Sequence, residues 1–90
     1  MYARATTLRE SVEQVEDAIV HYEEGIPPLR ELAGNRGAIL LVDRSAGKAI
    51  SVTLWESEEA MRRADELRQK PAQEAGGQVD EYDVAVWAVS

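Results

Sequence analysis

One stretch near the middle of the chain, GAILLVDRSAGKAISVTLWE, leaves few folds open. Two runs rich in β-branched and aliphatic residues, AILLVDR and AISVTLWE, flank the turn residues SAGK. Gly47 supplies the positive φ that a tight turn needs. Residues 38–55 therefore predict a β-hairpin. Side chains alternate in direction along a strand. Ala38, Leu40 and Val42 thus point one way and Ile39 and Leu41 the other, so the first strand is apolar on both faces. In the second, Ile50, Val52 and Leu54 oppose Ser51, Thr53 and Trp55. A sheet with one wet face alternates apolar with polar, and this hairpin does not.

The flanking segments supply the rest of the architecture. Tyr2 to Leu8 reads as a first strand. Ser11 with Gln14 three residues on has capping-box spacing. Val12, Val15, Ile19, Tyr22 and Ile26 then recur at three- and four-residue steps, a single helical stripe. Gly25 and the Pro27-Pro28 pair are expected to end this helix, with PPLRELAG as one further short turn closing at Gly34. Ser57 is placed to cap a second helix whose first turn holds Glu58 and Glu59. Glu58–Arg62, Glu59–Arg63 and Glu66–Lys70 are i,i+4 pairs with the acid first. Lys70 and Pro71 should stop that helix, PAQEAGGQVD should be a loop, and EYDVAVWAVS the last strand. The order is β-α-β-β-α-β, the ferredoxin-like α+β arrangement: one antiparallel sheet with two helices on one face. Residues 1–90 are expected to form a single domain.

Two helices cover only one face of such a sheet. The last strand repeats the hairpin's pattern, with Val84, Val86 and Ala88 opposite Ala85, Trp87 and Val89. An apolar patch of that size is seldom left exposed on a monomer. The economical arrangement is a homodimer whose sheets face each other, a closed α+β barrel with helices outside. A 90-residue chain has a thin core, which makes help from an oligomer reasonable. The net charge of −7 argues against nucleic acid and anionic membrane as partners, since phosphates call for clustered Lys and Arg. Without cysteine there is no thiolate chemistry, disulfide or Cys-ligated metal. MYARATTLRE has no signal-peptide apolar core, and no apolar run reaches the roughly 18 residues of a membrane span. The expected location is the cytoplasm.

The pattern GAILLVDRSAGKAISVTLWESEEAM, residues 37–61, resembles the dimeric α+β barrel proteins, in particular the antibiotic-biosynthesis-monooxygenase-like superfamily. There a hairpin strand commonly ends in Trp followed by acidic residues, Ser and Ala at a helix start. The resemblance implies a homodimer acting on a small aromatic or quinol-like molecule, as a cofactor-independent monooxygenase or as a non-catalytic ligand-binding or assembly module. It departs at one position: many members carry His about nine residues after the Trp, where this chain has Ala64. Haem ligation and His-centred chemistry on this helix are therefore not expected.

The candidate site residues follow. Trp55 and Trp87 are large, flat and polar at one edge, suited to packing a core or to stacking on an aromatic ligand. Tyr22 lies on the apolar stripe, where its hydroxyl can contact a ligand oxygen. His21, the chain's one histidine, is the candidate proton-transfer group, although it points about 130° from the centre of that stripe. Ala60, Met61, Ala64 and Leu67 make a small-residue face on the second helix. Small side chains there either permit close packing or leave a slot beside the first helix, with Ala64 lining it. No cofactor and no metal is expected. AGKA is not a phosphate loop, because Val42 and Ala49 stand where that motif needs Gly and Ser or Thr. Glu13, Glu16, Asp17, Glu23 and Glu24 read as a solvated helix face, and no acidic residue is expected on a clearly apolar one.

Overall fold

The computed structural model describes residues 1–9, 11–68 and 78–88. Along them run β1 (Tyr2–Arg9), α1 (Val12–Arg30), β2 (Asn35–Asp43), β3 (Lys48–Trp55), α2 (Glu58–Arg68) and β4 (Gln78–Asp83). The strands form one sheet in the order β2-β3-β1-β4, with every adjacent pair antiparallel. This is the ferredoxin-like topology. Local signals set the ends of the elements. Ser11 Oγ accepts from the Gln14 N–H and Gln14 Oε1 from the Ser11 N–H, a complete capping box. Ser57 Oγ accepts from the Ala60 N–H at the start of α2. Gly47 turns the hairpin at φ 65°.

Register decides what each face carries. Tyr2 lies opposite Trp55 and Asp83, Arg4 opposite Thr53 and Glu81, and Thr53 opposite Ala38. These residues share one face, and both helices lie on it. Leu29 of α1 and Met61 and Ala64 of α2 close around Trp55, with Tyr2, Leu32 and Ala38 packed against them. The opposite face carries Ala5, Ile39, Leu41, Ile50, Val52 and Tyr82. Ile39, Leu41 and Tyr82 are exposed there.

The structure corrects several expectations. α1 does not stop at Gly25 or the prolines but continues to Arg30. A proline removes one i→i−4 bond, so Pro27 and Pro28 orphan the carbonyls of Glu23 and Glu24. All four residues are exposed, so water can satisfy those carbonyls. Continuing the helix meanwhile buries Leu29 and half-buries Ile26. Gln78–Asp80, expected in a loop, already belong to β4, which ends at Asp83. β4 pairs only with β1, and β1 begins at Tyr2 opposite Asp83. The Val84 N–H still reaches the Met1 carbonyl at 2.9 Å, but beyond it no strand among the described residues is there to pair with. Val84–Ala88 therefore form no strand. Leu67 is exposed rather than buried. The Glu66–Lys70 pair, the stop at Lys70-Pro71, residues 71–77 of the expected loop and Val89 lie outside the described residues.

Candidate functional site

Trp55 ends β3 on the helix-covered face and is 0% exposed. Its indole Nε1–H donates to Thr53 Oγ1 at 3.0 Å. Residues two apart on a strand share a face, so the strand itself supplies the partner a buried indole requires. Ala64, 1% exposed, packs in the same cluster, so the small residue serves close approach of α2 rather than a slot. The loop before β2 approaches equally closely. Gly34 has φ 85°, and a Cβ there would lie 2.5 Å from the Ala60 Cβ.

Tyr22 is half-buried on α1. Its hydroxyl donates to the Ile39 carbonyl at 3.2 Å, with the Val52 carbonyl at 3.5 Å. Burial raises the phenol above its ordinary value of 10.0, against the lowering effect of its bonds to Ser51 and Ile39. It is a neutral donor at physiological pH.

Tyr22, Ile26 and Arg30 follow at four-residue steps and so share one line of α1. Beside that line a groove of about 590 Å³ opens between the second half of α1 and the start of β2. Ile26, Arg30, Asn35, Arg36, Gly37 and Ala38 line it. The irregular register between Asn35 and Gly37 shapes its floor. Asn35 holds that irregularity: its Nδ2 donates to the Leu54 carbonyl at 3.3 Å, and its Oδ1 accepts from the Gly37 N–H at 3.2 Å. Gly37 sits at φ 143°, which a residue with a Cβ rarely adopts. The groove is thus on α1 and β2, not between the two helices. Of its lining residues, Ile26 lay on the helical stripe and Ala38 in the first hairpin strand, while Arg30, Asn35 and Arg36 were not singled out, because isolated cations carry no pattern and the Asn35 irregularity has no sequence signature.

Trp55 and Ala64 are therefore brought together, in the closed core, and Tyr22 lies one helical turn from Ile26 of the groove wall without lining the groove itself. His21 and Trp87 join neither. His21 is exposed and lines a separate concavity of about 210 Å³ with Gln14, Asp17 and Ala18. Trp87 is 50% exposed beyond β4. Among the described residues no group of three or more His, Cys, Asp or Glu is placed to hold a metal.

A charged cluster beneath α2 escaped the sequence pattern. Arg4, 6% exposed, points from β1 toward the helices. Its guanidinium bonds both oxygens of Asp65 on α2 at 2.5 Å and Glu81 of β4 at 3.0 Å. Arg62 reaches Glu81 at 2.5 and 2.8 Å, and Glu58 at 3.5 Å. Bonds from Arg62, then Arg4, hold the Glu81 carboxyl below its ordinary range. Asp65 and Glu81 do occupy the covered face, contrary to expectation. A bonded cluster of two guanidinium groups and three carboxylates fastens elements together.

No family model matches the sequence. Two relatives from Mycobacterium tuberculosis align along nearly all of it. The uncharacterized protein Rv2558 is 37% identical over 93 residues, covering 96% of this chain and 39% of the relative. The uncharacterized protein Rv2557 is 35% identical over 92 residues, 94% of this chain and 41% of the relative. The chain thus spans about two-fifths of the length of these relatives. Among solved structures, the haem-free haem-degrading protein Rv3592 of M. tuberculosis superposes with a TM-score of 0.77 at 19% identity, covering 99% of this chain and 96% of that one. The same haem-degrader with two haems bound in its active site gives 0.76 at 17%, covering 99% and 100%. A proposed antibiotic biosynthesis monooxygenase from Bordetella bronchiseptica gives 0.71 at 13%, covering 94% and 97%. The residues here do not fit an axially ligated haem, because Ala64 is a sealed methyl and His21 lies outside the groove. At these identities the likeness is one of fold, and the chain has the ferredoxin-like β-α-β-β-α-β fold of these solved structures.

Proposed function

We propose that this chain is a homodimeric barrel module that binds a small aromatic or quinol-like molecule in the groove between α1 and β2. The observation that carries this reading is the groove itself. Its volume of about 590 Å³ lies within the range of small-molecule sites. It combines an apolar wall, Ile26 and Ala38, with a few polar groups that can fix orientation. Tyr22, one helical turn from Ile26, is the proposed polar contact, releasing the Ile39 carbonyl to meet a ligand oxygen. Trp55 and Ala64 support the site from the core behind it. Binding is favoured over turnover because no lining residue is a base and the buried carboxylates are paired.

A second reading, monooxygenation of the bound compound, is favoured by the fold neighbour proposed as an antibiotic biosynthesis monooxygenase. Such chemistry would draw on the acidity of the substrate's own hydroxyl, with the protein supplying position and electrostatics. His21 would be its proton-transfer candidate, acting from outside the groove.

Native mass spectrometry of gently purified protein tests both assembly and binding. The expected species is a dimer carrying a retained small molecule. Once that compound is identified, Tyr22→Phe should weaken its binding about tenfold with little change in Tm. Unchanged affinity would remove Tyr22 from the site. Oxygen uptake on adding the compound would favour the second reading, and a raised Tm without product the first.

A further inference from the structure

We infer that the α1–β2 groove selects an organic anion: a flat apolar body lying on Ile26 and Ala38, with its charged head held between Arg30 and Arg36. The inference deepens the binding reading above and rests on it. It comes from how this acidic chain distributes its cations. Arg4, Arg44, Arg62 and Arg63 each lie within 2.5–2.6 Å of a carboxylate. Arg36 is only within 3.8 Å of Glu56, beyond hydrogen-bonding distance. No ion pair among the described residues includes Arg30. Both arginines line the groove, and none of its lining residues is acidic. Arg9 is likewise in no ion pair among the described residues, but it lines no described cavity.

The remaining polar lining points the same way. The Asn35 amide is committed to the main chain through both its nitrogen and its oxygen. The uncommitted polar groups are thus guanidinium donors, which call for an acceptor-rich ligand. Planar guanidinium forks match a carboxylate or sulfonate closely. Two arginines on a chain of net charge −7 suit one small anion and not a polyanion.

Two probes with the same ring system separate charge from shape. 8-Anilinonaphthalene-1-sulfonate carries the anion, and N-phenyl-1-naphthylamine lacks it. Both are titrated by fluorescence into the full chain and into Arg30→Gln, Arg36→Gln and Ile26→Asn variants. Both arginines are exposed, so their variants should keep the parent Tm. The expected result is that each arginine change raises the sulfonate's Kd on the order of tenfold and leaves the neutral probe within about twofold. If Ile26→Asn weakens both probes while the arginine changes weaken neither, the groove stands and the anion preference is overturned. If none of the three changes affects either probe, the probes bind elsewhere and the groove reading falls together with the inference.

Discussion

Trp55 shows how one side chain can hold a fold and leave nothing over for chemistry. Its ring fills the space between both helices and the sheet, and its one polar atom is satisfied two residues away. Trp55→Ala should lower unfolding free energy by about 3–5 kcal/mol in urea titrations. Thr53→Val keeps the shape but strands the indole N–H, an expected loss of about 1–3 kcal/mol. A neutral Thr53→Val would mean that the bond at 3.0 Å contributes nothing. Glu81 makes a different residue-scale prediction. Its folded carboxyl titrates below the ordinary 4.5 because Arg62 and Arg4 bond its charged form. A depressed folded pKa adds stability above the unfolded value, and that stability is lost as pH falls through the folded one. Wild-type Tm should therefore drop between about pH 5 and about pH 3, and Glu81→Gln should start lower at neutral pH and fall less over that window. Parallel profiles would show that the cluster does not drive the acid limb.

At the scale of elements, the informative positions are those where a local signal and tertiary burial compete. Capping at Ser11 and Ser57 and the hairpin turn at Gly47 are each decided by a few adjacent residues, and they were legible in the sequence. Pro27-Pro28 was not, because a proline's effect depends on which way its orphaned carbonyls face, and only the packed fold sets that. The end of β4 was hidden for a related reason: Val84–Ala88 is strand-like in composition, yet a strand needs a neighbour, and β1 has run out by Tyr2. The Arg4 cluster was invisible because a lone arginine in a strand gives no sign that Asp65 and Glu81, far along the chain, will meet it. Tyr22's place on the helical stripe was legible, while the groove floor at Asn35–Gly37 came only with the register. The connection from α1 to β2 offers a test of this close packing. Gly34→Ala combines an unfavourable φ with contact against Ala60, so a loss of about 2–4 kcal/mol is expected by chemical denaturation. Pro27→Ala should instead raise Tm, since it restores a helical hydrogen bond on an exposed face.

At the scale of the molecule, the uncovered face of the sheet is the feature that a single chain leaves unexplained. Ile39, Leu41 and Tyr82 stand exposed on it beside Ile50 and Val52, and no helix among the described residues crosses it. Val86 and Trp87 are exposed just past the sheet's end. A second copy of the chain, sheet against sheet, would bury this face, and the overhanging Trp87 would then have a surface to lie on. That arrangement would close the two sheets into the proposed barrel. Leu41→Glu is the discriminating change. Leu41 is 53% exposed in the single chain, so a charge there costs the isolated fold little. In the proposed dimer the same charge would be buried without a partner, at a cost of several kcal/mol. Sedimentation equilibrium should therefore find the parent dimeric and Leu41→Glu monomeric, with matching far-ultraviolet circular dichroism. A variant that stays dimeric would rule out contact through the sheet, and a parent that is monomeric at micromolar concentration would rule out the barrel.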